Sequence, residues 1–94
     1  MRVNIYIDNS PNVSVTGVYI KDSKIVYIKN VSYEPITNEL YIKDLELPTR
    51  QQIHSKVNYM KRHYKLIASV DENIFINEAK KIIQERHPYA YIIK

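Results

Sequence analysis

Apolar residues recur every second position early in the chain and at helical spacing later, and that change of period confines the fold to strands with helices packed on them. Val3, Ile5 and Ile7 alternate with Asn4 and Tyr6, so successive side chains fall on opposite faces of a strand. Asp8-Asn9-Ser10-Pro11-Asn12 ends it with turn chemistry, since Asn and Asp bond their own backbone and Pro fixes φ. A second strand is predicted over 13–20. Lys21-Asp22-Ser23 then turns the chain into a third over 24–29, which makes a hairpin. Further on, Ile53, Val57, Met60, Tyr64 and Ile67 form one stripe of a helix, with Gln51, Ser55, Asn58, Arg62 and Lys65 opposite. Thr49-Arg50-Gln51-Gln52 has the pattern of a capping box, and Pro48 bars helix upstream.

The stretch from Ser32 to Glu39, with Pro35 inside it, has no period, and Tyr41-Ile42 reads as a brief extended segment. Leu66-Ile67-Ala68-Ser69-Val70 is a short apolar run of the kind buried on both faces of a parallel sheet. A second helix is predicted over 78–86, with Asn77 as its cap and His87-Pro88 as its stop. Residues 89–93 form a last extended segment. The resulting order is βββαβαβ: an α/β fold with a mixed five-stranded sheet, its first, fourth and fifth strands parallel and joined by right-handed crossovers.

The 94 residues suffice for one domain, and 45% apolar with 26% charged residues is the composition of a globular chain. With no cysteine there is no disulfide, thiolate zinc site or cysteine nucleophile, which points to the cytosol. No apolar run reaches the roughly 18 residues of a membrane helix, and no signal peptide opens the chain, so a cytoplasmic protein without a membrane partner is expected. The single glycine, Gly17, excludes glycine-rich phosphate loops and hence a nucleotide cofactor. A net charge of +4 favours weak attraction to polyanions.

Three stretches resemble the ribonuclease H-like superfamily, and within it the RuvC-type Holliday-junction resolvases. They are a first strand ending in Asp8 and followed by Thr16-Gly17-Val18, then Leu47-Pro48-Thr49-Arg50 leading into an amphipathic helix, and Val70-Asp71-Glu72-Asn73-Ile74-Phe75-Ile76-Asn77. The resemblance implies a metal-dependent nuclease acting on structured DNA or RNA, with Asp8, Asp71 and Glu72 as catalytic acids holding Mg²⁺ or Mn²⁺. Such chemistry needs hard oxygen ligands on neighbouring strand ends, because two metals about 3.5–4 Å apart clamp the attacking and leaving oxygens. Parallel first and fourth strands would set Asp8 and Asp71 at one sheet edge. The chain reaches Lys94 before the family's C-terminal helix, so the ligand set would be completed by Glu39 or by a partner chain. The alternative is a catalytically inactive module of this fold that binds nucleic acid or a protein.

Each residue also has a purely structural reading. Turn chemistry accounts for Asp8, and an acidic pair at a helix start accounts for Asp71 and Glu72. Glu39 fits a solvated loop. Lys61, Arg62 and Lys65, the densest basic cluster with His63, are either a solvated helix face or phosphate contacts whose affinity falls with salt. Among the nine tyrosines, Tyr6, Tyr27 and Tyr64 are placed to cap the core, and His54, His63 and His87 read as surface residues. An open sheet edge and the tail Tyr89-Ala90-Tyr91-Ile92-Ile93 offer pairing surfaces for a homodimer, with burial of the tail within one subunit as the equal alternative.

Overall fold

A computed structural model describes residues 1–8, 13–47 and 49–92. In chain order the elements are β1 (Arg2–Asp8), β2 (Ser14–Lys21), β3 (Lys24–Glu34), β4 (Glu39–Asp44), α1 (Arg50–His63), β5 (Lys65–Asp71), a short 3₁₀ turn (Glu72–Ile74), α2 (Phe75–Arg86) and β6 (Tyr91–Ile92). One six-stranded sheet runs β5-β1-β2-β3-β4-β6, antiparallel throughout except for the β4–β6 pair. The five-stranded ribonuclease H-like order is therefore overturned.

The cause of that correction is β4. The stretch that lacks a period in sequence is the end of β3 and a second hairpin, closed by Asn38 at φ 62°, whose amide donates to Glu34 O at 2.9 Å. Tyr33 Oη donates to Asn38 Oδ1 at 2.6 Å and holds the same turn. One extra antiparallel strand reverses the direction of every strand after it. The crossover through α1 leaves from β4 rather than β3, so β5 runs parallel to β4 and antiparallel to β1, with Arg2 opposite Asp71 and Ile7 opposite Lys65. Nor is β5 an interior strand: it lies at the sheet edge with Leu66 and Ile67 exposed, and its register shifts opposite Ile5/Tyr6.

Each helix covers one face of the sheet. Phe75, Ala79 and Ile83 of α2 pack on Val3, Ile5, Val15, Tyr19, Val31 and Leu40. Val57 and Met60 of α1 pack on Tyr6, Val18 and Ile28, with Ile53 and Tyr64 beside them. Gly17 makes room for α2, since a Cβ there would meet two Phe75 ring carbons at 2.7 Å and Val3 Cγ1 at 2.8 Å. The Tyr19 ring meets Phe75 edge-on at 5.7 Å and stacks on Tyr27 at 4.2 Å. Burial, with the Tyr27 hydroxyl nearby, pushes the Tyr19 phenol up to about 12.

The ends of the helices follow local chemistry. The capping box of α1 forms as its sequence predicts: Gln52 N donates to Thr49 Oγ1 at 3.2 Å and Thr49 N donates to Gln52 Oε1 at 3.3 Å. Pro48, the predicted turn residues 9–12 and Ile93 of the predicted last strand lie outside the described residues. The helical stripe ends at Tyr64, because Ile67 and Lys65 belong to β5. The second helix starts at Phe75, three residues earlier than predicted, with Asn77 inside it. Asp71 rather than Asn77 caps the preceding turn, its Oδ1 accepting from Asn73 N at 2.9 Å. Among the described residues no helix is long and apolar enough to cross a membrane.

Candidate nucleic-acid interface

The strand directions decide where the predicted acids fall. Asp8 lies opposite Ser14 at one end of the sheet, whereas Asp71 lies opposite Arg2 at the other. Six residues of β1 separate the two levels, about 20 Å at roughly 3.3 Å per residue. Hard-cation ligands sit within about 2.6 Å of the ion, so these two carboxylates do not share one. Placing them at a common edge depended on β5 running parallel to β1, and the antiparallel pairing removes that premise. Glu39 is at the Asp8 end but on β4, three strand spacings or about 14 Å away across the sheet.

Each of the acids also has a structural partner. Asp71 caps the 3₁₀ turn, Glu72 Oε1 accepts from the Met1 ammonium at 2.9 Å, and Glu39 accepts from the Tyr41 hydroxyl. The Asp8 carboxylate faces Tyr64 and, after burial itself, helps to raise that phenol's pKa. Among the described residues no group of three or more His, Asp or Glu is placed to hold a metal ion. The acids are thus dispersed.

The basic residues are concentrated. Residues 50–65 contain Arg50, Lys56, Lys61, Arg62 and Lys65 and no acid, while the rest of the chain has nine basic residues against ten acidic. The whole positive excess of +4 therefore resides on α1 and the residue that follows its cap. At 3.6 residues per turn the apolar stripe Ile53, Val57, Met60 and Tyr64 faces the sheet, which turns Gln51, Ser55, Asn58 and Arg62 outward as a ridge. Arg50, His54 and Lys61 flank the ridge on one side, and Lys56 and His63 on the other. All of these are exposed except the half-buried Lys56.

Few of these side chains are engaged within the fold. Among the described residues the ion pairs are Met1–Glu72, Lys29–Asp44 and Lys81–Glu78, and none involves α1. Lys56 Nζ lies over the Tyr59 and Tyr64 rings at 5.3 and 5.9 Å, and Tyr59 packs on His63 at 4.3 Å. The last-turn cations Lys61 and Arg62 complement the negative end of the helix dipole, which is their contribution to the fold. At the other end, Arg50 shares an open notch with Lys21, Asp22 and Lys24 of the β2–β3 turn. Positive charge thus extends from the tip of that hairpin along the full length of α1.

Sequence reasoning singled out Lys61, Arg62 and Lys65 and not Arg50, Lys56 or the hairpin lysines. The absence of any acid over 16 consecutive positions was the available signal for the first two. His87, read as a surface residue, is half-buried and stacked on Tyr33 at 3.9 Å, with Nε2 buried and unpaired. Comparisons with protein-family models, with curated proteins and with solved structures found no match.

Proposed function

We propose that this chain is a non-catalytic nucleic-acid-binding module and that the outward face of α1 is its interface. One observation carries the reading: the chain's excess positive charge lies on α1 and on Lys65 just after it, and among the described residues no ion pair engages α1. Such a surface neutralises phosphates and releases condensed counterions, which makes affinity a steep function of salt. The acids that a nuclease would use support the non-catalytic part, because they lie at opposite ends of the sheet and serve as cap, ion-pair and hydrogen-bond partners.

Fluorescence anisotropy with labelled DNA and RNA between about 50 and 200 mM salt tests the reading. Five phosphate contacts give a log–log slope of about −4.5 at about 0.9 counterions each. Neutralising Arg50, Lys61 and Lys65 together should flatten that slope by about two to three. Salt-independent binding, or no binding to any nucleic acid, removes the proposal. Cleavage that requires Mg²⁺ or Mn²⁺ and is lost in Asp8→Asn would replace it with the hydrolytic reading.

A further inference from the structure

The order of side chains around α1 carries the reading from nucleic acid in general to one form of it. The outermost ridge is not itself a row of cations. Gln51, Ser55 and Asn58 occupy its first three positions, and only Arg62 at its end is charged. The cations and the two histidines lie to either side, in two rows separated by the ridge. A surface that only tracked a phosphate chain would put its charges at the crest, where a single backbone passes. Uncharged amide and hydroxyl groups at the crest, with Arg50 and Lys61 on one flank and the half-buried Lys56 on the other, match a groove whose floor carries base edges and whose two walls carry phosphates.

We propose that α1 seats in the major groove of duplex DNA, with Gln51, Asn58 and Arg62 facing base edges and the flanking rows on the two backbones. The dimensions agree, since a helix with its side chains is about 10–12 Å across and the groove about 12 Å wide. The chemistry agrees as well. Gln and Asn pair with the N6/N7 edge of adenine and Arg with the O6/N7 edge of guanine, both in two-bond arrangements. Lys21 and Lys24, beside Arg50 at the start of the helix, extend the backbone contacts beyond the groove.

Single strands fit this helix less well. Their sequence-tolerant binding depends on aromatic faces free to stack bases, and the exposed ring of α1, Tyr59, is already packed on His63, meets Tyr64 edge-on and lies under Lys56. The deep, narrow major groove of an RNA duplex does not admit side chains in this way.

This inference rests on the nucleic-acid reading above, and the experiment separates the two. The full chain is used to select from a pool of random duplex DNA, and the enriched sequence is then compared with a scrambled duplex, a single strand and an RNA duplex by anisotropy. An enriched sequence bound at least tenfold tighter than the scrambled duplex is expected, with binding blocked by methylation of guanine N7 and not by a minor-groove ligand. The double variant Gln51→Ala, Asn58→Ala should lose that discrimination while its affinity for scrambled duplex stays within about threefold, as expected of side chains that touch bases rather than phosphates. Its helix content by circular dichroism confirms the fold. Salt-sensitive binding with no enrichment, or tighter binding to single strands or to RNA, overturns the major-groove proposal and leaves the general reading standing. Absence of binding to every probe removes both.

Discussion

The two helices have the same role in the fold and different surfaces. Both present an apolar stripe to one face of the same sheet, Val57 and Met60 from α1 and Phe75, Ala79 and Ile83 from α2. On its outer side α2 mixes signs, with Glu78 and Glu85 among Lys80, Lys81 and Arg86, and Lys81 Nζ lies 3.5 Å from Glu78 Oε1. The outer side of α1 has no acid at all. Packing on the sheet therefore does not require the charge pattern of α1, since α2 packs as well without it. What the two helices share belongs to the fold, and what separates them is available for function.

That division can be broken most strongly on the α2 side. Phe75→Ala removes a fully buried ring from between Gly17 and Tyr19, and we expect a loss of about 3–5 kcal/mol in urea unfolding. An equal loss of nucleic-acid affinity from the folded fraction would contradict the division. Next, replacing Lys61, Arg62 and Lys65 by Gln should weaken nucleic-acid binding by at least about tenfold at 0.1 M salt. Stability should change by less than about 1 kcal/mol, as for most surface substitutions. The matched control Lys80→Gln, Lys81→Gln on α2 should leave affinity nearly unchanged, and a comparable loss there would make the charge effect diffuse.

Smaller effects sharpen the contrast. Alkali should act on both faces, since burial also raises the Tyr6 and Tyr64 phenols beside α1, and on the α2 side through Tyr19, which is raised to about 12 in the folded chain and ionises near 10 when unfolded. This contribution is complete below pH 10 and is lost as pH rises from 10 toward 12, which circular dichroism across that window would show. Tyr19→Phe should remove that part of the alkaline transition. Gly17→Ala forces the Phe75 ring and Val3 to move and should cost about 1–3 kcal/mol. Least disruptive is Thr49→Ala, which removes the capping box of α1 for about 1 kcal/mol in thermal unfolding. It should reduce binding only as far as the first turn frays.

Much of the fold was readable residue by residue. The strand alternation of Val3, Ile5 and Ile7, the capping box at Thr49 and Gln52 and the stripe from Ile53 to Tyr64 all rely on neighbours within a turn or two. β4 was not readable in this way. Leu40 is its one buried residue, and Tyr41 and Ile42 remain exposed, so the strand is held by backbone pairing to β3 and leaves little apolar alternation in its sequence. Missing it set Asp8 and Asp71 together, although each was correctly placed at the end of its own strand. The edge of β5 was similarly hidden. The pairing alternates so that Ser69 turns its carbonyl away from β1, and Arg2 Nη2 reaches that oxygen at 2.6 Å. With the nearby register shift, this blunts the edge that a second copy would use, while Tyr91 and Ile92 of the tail pair with β4 of the same chain.

By itself, then, the sequence determined the kinds of element apart from β4, the buried faces of β1, α1 and α2 and the position of the chain's excess charge, because each depends on periodicity or composition over a few turns. Only the tertiary structure decided which way each later strand runs. Direction is inherited from every strand before it, so one hairpin held by backbone pairing moved an acid from one end of the sheet to the other.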